Sequence, residues 1–545
     1  MFGRLTPRKV LIGLALGLVL FFGARSFYLP PELSRSFSHV PDGVENTLAM
    51  KNLMEGHGFT IRLNGVYYPS RYQPWFSLLF VAPALCFAKG NVLCSYYGCC
   101  AAGIVALFAA FLLGRKLGGG VCGLLLAAVL CVIPSFVRYT NVAMTEVPHT
   151  MLLIFSALAW LDICRRRETR VGDHLLFGAC CALAGALRST ALVLPALVLL
   201  PLWRRRPKRK ILFAALAAAW GPSLAVAAAN AVYNRMVFGS FFRSGYHYWE
   251  PYNYDYFGHT FNLRFFFANV KSYANTANLC FILLPMLATA ACLVFLRRRR
   301  DGAFDRLGAL AVFTAAVTAI AFALYLPYFS YQVERFFVPV HALATLCGAA
   351  AVGVTARSLS RRGGEAVLGA AALAVLFAPW PSPYAEQLEH DRMRSCKIAL
   401  LERMRGELPE NAVLLTIFQQ GAAEYFFAVG GRRIIPFYRC YEYAQMVTAR
   451  RRIDPPPGGF SSGGETEALR FLAAHGGVPP YPVVYSEAPE EVDRLVASGV
   501  PVYVSDYTLV IYAPARELAR RYRAAEVGNW FGFRVYRLLP PDGRR

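Results

Sequence analysis

The chain has 545 residues, of which 56% are hydrophobic and only 17% charged, with a formal net charge of +24. A soluble protein of this length divides into several domains with charged surfaces; long apolar blocks exclude that class and point to an integral membrane protein. Nor does the positive excess point to nucleic acid, because much of it sits in short runs beside apolar blocks: Arg165–Arg167, Arg204–Lys210 and Arg297–Arg300. Such runs mark cytoplasmic ends of spans and favour anionic headgroups.

The first apolar run, Val10 to about Tyr28, follows Arg4, Arg8 and Lys9 and reads as a retained helix leaving the cytoplasm. Gly23-Ala24-Arg25 is a poor signal-peptide cleavage site. Residues 29–74 form an external loop. Trp75–Ala88 is short of the roughly 20 residues a span needs and is expected to lie half-buried at the outer face. Val92–Leu113 returns inward to Arg115-Lys116, Leu117–Val137 goes out, and Val147–Cys164 comes back. Residues 174–187 and 189–202 are expected to form a short hairpin or re-entrant pair with Arg188 near its outer tip.

Ile211–Tyr233 crosses outward to a second long external loop, residues 234–278. Leu279–Leu296, Leu307–Leu326, Val338–Thr355 and Ala366–Phe377 complete about eleven crossings, each consistent with positive-inside charge. The transmembrane domain is thus residues 1–383, and residues 384–545 form an extracytoplasmic domain. Within it, Ala412–Thr416, Arg433–Pro436, Val483–Tyr485 and Pro501–Ser505 read as strands. Thr466–Ala474 and Glu490–Ala497 read as helices, giving an α/β layer fold. Pro455 to Gly464 reads as a flexible loop.

Of 14 cysteines, twelve lie in or beside apolar stretches, where Cys behaves as a small apolar residue. Cys396 and Cys440 fall in the polar C-terminal region; whether they pair is not decided by sequence. There is no CxxC and no His/Cys cluster with metal spacing.

Candidate chemistry gathers at the external ends. Asp42 suits a general base on a hydroxyl, and Asp42 with Glu45 equally has capping-box spacing, with Asp42 as N-cap of a helix from Val44 to Met54. Glu146, in Thr140 to Pro148, is a functional candidate because an ionisable group at membrane depth needs a cavity or a partner; the competing reading is a solvated loop acid. Arg71, Arg188 and Arg335 recur at external helix ends, suited to binding phosphate through a planar fork or, more simply, to touching headgroups. The aromatic-rich loop from Phe238 through Tyr256 reads first as an interfacial belt. Glu45, Tyr72, Tyr246, His247 and Trp249 are the candidates for acceptor or sugar contacts, because rings also stack on sugars; His247 and His259 read more simply as ordinary loop histidines.

The order of these segments resembles the bacterial GT-C glycosyltransferase family that includes the protein O-mannosyltransferases and the lipid A aminoarabinose transferase, over roughly residues 1–380. Asp42 falls where the family carries its first-loop acid, and Leu53–Phe59 is similar to its leucine-rich, Gly-x-Gly-Phe helix end. Tyr68–Leu79 resembles the stretch leading back into the membrane, Tyr139–Pro148 the second acidic loop, and Leu187–Thr190 the basic hairpin tip. Phe238–Ser240 and Glu334–Pro339 resemble two later patterns. The chain departs from the pattern at Gly43, where many relatives carry a second acid, and at Arg71, which replaces a lysine.

The resemblance implies a polytopic α-helical GT-C-like fold and an inverting transfer from a polyprenyl-phosphate sugar to an envelope hydroxyl. Asp42 would be the base, Arg71, Arg188 and Arg335 the phosphate ligands, and Glu146 an orienting acid. It implies no obligatory metal, with a divalent ion as the alternative, and residence in the cytoplasmic membrane with the N-terminus inside. The rival readings are a transporter or flippase for a lipid-linked or anionic substrate, and a non-catalytic envelope scaffold. Transporters commonly show internal repeats; no repeat is visible here, and the acids and long loops share one face.

Overall fold

The structure, a computed structural model, describes residues 7–28, 41–63, 65–249, 260–298, 303–328, 334–359, 361–377, 397–416, 420–436, 488–511, 516 and 519–541. It divides into two compact units. One comprises Met1–Ser34, Gln73–Phe242 and Thr260–Glu386; the other comprises Arg35–Tyr72, Arg243–His259 and Gln387–Arg545.

The first unit is a helical membrane bundle. Seven described helices are long and apolar enough to cross a membrane, and a bent pair, Gly120–Val132 with Pro134–Thr140, makes up to eight. The remaining segments of the expected eleven are present as shorter pieces. Val171–Leu187 and Arg361–Phe377 have 17 residues each, and the stretch after Arg188 is a 3-10 helix, Ser189–Val198, followed by Leu199–Arg205. Residues 75–88 hold a π-helical turn, Ser77–Val81, and the helix Ala82–Phe87.

Two irregularities follow directly from sequence. Ile133 is extended at φ −69°, ψ 111°, because Pro134 disfavours a helical residue before it, and the pair bends there by 70°. Gly119, at φ +93°, separates Tyr97–Gly118 from Gly120–Val132. The two helices then run so close that a Cβ on Gly123 would lie 2.5 Å from the Phe111 carbonyl oxygen. Small residues let membrane helices approach in this way.

A buried polar chain ties the bend to its neighbours. His341 on Val338–Leu359 lies 3.0 Å from Ser135 Oγ through Nδ1 and 2.7 Å from Asn278 Oδ1 through Nε2. Lys116 and Asp162 pair at 2.5 Å, beside the basic run at Arg165.

The second unit joins an external segment to a C-terminal α/β fold. The helix Pro41–Met54 ends in Gly56 (φ +88°) and Gly58 (φ +75°), the expected Gly-x-Gly helix end. It packs through Ala49 and Leu53 on a hairpin of β1 (Thr60–Leu63) and β2 (Val66–Pro69), whose Phe59, Ile61 and Tyr68 complete the cluster. The helix starts three residues earlier than expected. Pro41 opens it, so Asp42 lies in its first turn and is not the N-cap. Pro suits the first helical position because its fixed φ is already helical.

The C-terminal sheet has the order β4-β3-β5-β7-β6. The strands β3 (Val413–Thr416), β4 (Arg433–Pro436) and β5 (Val502–Ser505) are parallel, as βα alternation predicts. Ala488–Ala497 is the expected helix, and its Val492, Leu495 and Val496 bury against Val413, Leu415, Val502 and Val504. The hairpin β6 (Arg523–Trp530) and β7 (Phe533–Leu539) adds two antiparallel strands. The expected strand Val483–Tyr485, the helix Thr466–Ala474, the loop from Pro455 to Gly464 and the pair Cys396 and Cys440 lie outside the described residues, as does His259.

Candidate active site

Two clusters contain most of the candidate residues, one in each unit. In the second unit, the N-terminal end of Pro41–Met54 presents Asp42 and Glu45, and the end of β2 delivers Ser70 and Arg71. Glu45 is saturated. Its Oε1 accepts from Ser70 Oγ at 3.0 Å and the Arg71 backbone N–H at 2.5 Å, while Oε2 accepts from Arg71 Nη2 at 2.9 Å and Nε at 3.2 Å. A buried carboxylate with this many charge-assisted bonds fixes its partner. Arg71 Nη2 also lies 3.7 Å from Asp42 Oδ1, so one guanidinium faces both acids. Glu45 thus orients Arg71, where sequence offered it as an acceptor contact.

Tyr72 extends the cluster. Arg71 lies 5.2 Å from its ring centroid, and Tyr246 meets it edge-on at 5.8 Å. Burial pushes the Tyr72 phenol well above its usual range, with Arg71 opposing, so it stays neutral and can donate. The short helix Gly245–Trp249 sits directly on this corner. A Cβ on Gly245 would come within 2.5 Å of the Arg71 carbonyl oxygen, so only glycine permits the approach. His247 folds back on its own turn, its Nδ1 accepting the Ser244 N–H at 3.2 Å. Trp249 ends that helix.

In the first unit, Glu146 occupies the first turn of Glu146–Arg165, where the helix dipole favours a negative charge. It is fully buried. Its Oε1 accepts from Arg188 Nη2 at 2.5 Å, and Arg188 Nε donates to Thr145 Oγ1 at 2.9 Å. Arg188 itself is extended at the break between Val171–Leu187 and Ser189–Val198, which frees its side chain from either helix face. Glu146 is therefore a paired, buried acid and not a solvated loop residue.

Among the described residues Glu146 Oε2 has no hydrogen-bond partner, although it is buried. Phe336 links the arginines: Arg188 lies 5.1 Å and Arg335 5.2 Å from its ring centroid. Beside this cluster a cavity of about 30 Å³ is lined by His149, Arg188, Tyr325 and Phe336 among apolar residues. His149 Nδ1 sits 3.0 Å from the Ala184 carbonyl oxygen, which can only accept, so Nδ1 is the donor of that bond.

Sequence reasoning missed Ser70, Thr145, His149 and Phe336. Thr145 and Phe336 adjoin residues it selected, and that adjacency was the available signal. His149 lies three residues beyond Glu146 on one helix face, a spacing that also could have suggested it. Among the described residues, no group of three or more His, Cys, Asp or Glu is placed to hold a metal ion.

No protein-family model and no curated protein matches the chain. Solved structures do. The chain is similar to ArnT from Cupriavidus metallidurans, solved bound to undecaprenyl phosphate, with a TM-score of 0.57 at 14% identity, over 98% of this chain and 100% of that one. The fold is GT-C-like. The same protein in the apo state gives 0.56 at 13% identity, with the same coverage. AglB from Archaeoglobus fulgidus, an archaeal oligosaccharyltransferase solved with an inhibitory peptide and a dolichol-phosphate, gives 0.50 at 12% identity, over 95% of this chain and 73% of that one. The GT-C-like architecture hosts the two clusters on a multi-pass membrane protein; at these identities the chemistry has to come from the residues themselves.

Proposed function

We propose that this protein is an inverting glycosyltransferase that moves a sugar from a polyprenyl-phosphate donor to a hydroxyl of a cell-envelope glycan, lipid or protein. It would work at the outer face of the cytoplasmic membrane, with its N-terminus inside and its C-terminus outside. The observation that carries this reading is the Arg188–Glu146–Thr145 lock beside Arg335 on a shared Phe336 ring. A guanidinium held in advance by buried partners stabilises charge as it develops without first having to reorganise. The charge that develops when a lipid-phosphate sugar breaks is that of a phosphate monoester, which arginine forks bind well.

The clusters take separate tasks. Asp42 accepts the proton of the acceptor hydroxyl as its oxygen attacks the anomeric carbon. The bond from that carbon to the phosphate oxygen breaks, its electron pair stays on the phosphate, and the anomeric configuration inverts. Arg188 and Arg335 receive the phosphate; in the other unit, Glu45 orients Arg71 beside Asp42. Glu146 Oε2 takes a hydrogen bond from a sugar or acceptor hydroxyl. Tyr72 and Tyr246 contribute ring surface to the sugar, and His247 and Trp249 serve as further acceptor or sugar contacts. Undecaprenyl phosphate in ArnT and dolichol-phosphate in AglB support a polyprenyl-phosphate donor.

The test is release of free polyprenyl phosphate by purified protein supplied with synthetic polyprenyl-phosphate sugars and envelope acceptors. Cleavage coupled to glycosylated acceptor supports the proposal. Binding or transbilayer movement of intact donor without cleavage supports the transporter.

A further inference from the structure

The helix Gln420–Phe426, between β3 and β4 of the C-terminal fold, has two faces. Ala422, Ala423 and Phe426 are buried. Gly421, Glu424 and Tyr425 form the other face, at the spacing of neighbours on a helix surface, and all three meet the external segment of the same unit. A Cβ on Gly421 would sit 3.3 Å from Leu48 Cδ1 and 3.5 Å from Val44 Cγ1 of the helix Pro41–Met54. The Lys51 ammonium of that helix lies 5.9 Å from the Tyr425 ring centroid. Glu424 reaches the hairpin instead. Its Oε1 accepts the Gly65 backbone N–H at 3.0 Å and lies 3.8 Å from Arg62 Nε.

Glu424 is only 5% exposed. Burying a carboxylate is costly unless its bonds do something an apolar side chain cannot. Here the bond holds the hairpin turn, and the hairpin ends at Ser70 and Arg71. The same short helix therefore grips both elements whose relative position sets the contact of Asp42 and Glu45 with Arg71.

We infer that the C-terminal domain positions the Asp42–Glu45–Arg71 cluster through Gln420–Phe426, with Glu424 as the principal positioning residue. The catalytic half of this inference rests on the reading of Asp42 as base; the positioning half does not.

The experiment uses the full chain in lipid nanodiscs as wild type, Glu424→Ala, Glu424→Gln and Gly421→Val, with two readouts. Amide hydrogen exchange reports order in the helix Pro41–Met54 and the hairpin independently of activity. Exchange there should rise about tenfold in Glu424→Ala, with the helix Ala303–Tyr325 unchanged. Steady-state transfer should show kcat falling about tenfold or more with donor KM nearly unchanged, because small misplacements of reacting groups act on the chemical step. Glu424→Gln should keep most of the activity and protection, since its amide oxygen still accepts the Gly65 N–H.

Glu424→Ala that exchanges and turns over like wild type overturns the inference. So does Glu424→Gln as inactive as alanine with protection intact, which would make the charge itself the requirement. Should Glu424→Ala fail to accumulate, Gly421→Val carries the same test by pushing on Leu48 and Val44. If wild type transfers no sugar from any donor, the transfer reading falls alone and exchange still decides the positioning.

Discussion

Arg188 donates from Nη2 to Oε1 of Glu146 at 2.5 Å, joining a helix break to the first turn of a helix 42 positions earlier in the chain. Neither residue is at ease without the other. The Glu146 side chain is fully buried and that of Arg188 only 12% exposed, so each is the other's main compensation for lost water.

Truncating one partner should therefore harm the fold more than truncating both. Glu146→Ala is expected to destabilise the protein by about 3–5 kcal/mol, the usual result of stranding a buried charge. Glu146→Ala with Arg188→Met should recover a large part of that loss. Unfolding midpoints in detergent check it, and a double variant no more stable than the single one contradicts it.

The fork of Arg188 should matter as well as its charge. Lysine is a point charge and cannot donate to Glu146 and Thr145 while keeping a flat face on Phe336. Arg188→Lys should lower kcat by about 100-fold, the scale for losing one preorganised donor. Lipid-phosphate release at saturating donor measures this; a lysine variant with wild-type turnover removes Arg188 from phosphate binding.

On the proposed reading Glu45 acts by holding Arg71. Glu45→Gln removes the charge that Arg71 Nη2 and Nε both grip, and kcat should drop about tenfold as charge-assisted bonds become ordinary ones. Acceptor KM should stay close to wild type. A large rise in acceptor KM with kcat intact would restore Glu45 to the acceptor contacts.

Turnover should survive exhaustive chelation, because on the proposed reading arginine forks take up the charge of the leaving phosphate monoester and no further cation is needed to balance it. Assays after dialysis against chelator, with and without added divalent ions, decide it. Loss of activity restored by a divalent ion would assign a metal to the mechanism.

Local chemistry explains which parts were legible in the sequence. Gly56 and Gly58 announced the helix end, and β-branched runs marked β3, β4 and β5; the bend at Ile133 was missed, because Leu117–Val137 was read as one crossing although Pro134 lies within it. The start of the Pro41–Met54 helix was misread because Asp42 and Glu45 fit a capping box; Pro41 was the stronger signal, being suited to the first helical position. The β1–β2 hairpin lay inside a stretch read only as an external loop, although Asn-Gly between Leu63 and Val66 is a common hairpin-turn sequence. The β6–β7 hairpin was not: β6 is mostly exposed, so its alternation is blurred, and its turn runs through Phe531 at φ +56°, a conformation the residue type does not suggest. Arg188 and Glu146 were each visible as costly charges at membrane ends. Their pairing, and the place of Phe336 between two arginines, depend on tertiary contacts no local pattern encodes.

Asp42 is proposed to take the proton of the acceptor in a sugar transfer from lipid phosphate. The most direct measurement compares wild type with Asp42→Asn, nearly the same in shape, for transfer from synthetic polyprenyl-phosphate sugars in nanodiscs. Wild type should release polyprenyl phosphate with glycosylated acceptor, while the folded, donor-binding asparagine variant should do neither. Equal turnover in both would contradict it and pass the role of base to another group, with Glu146 the first to examine.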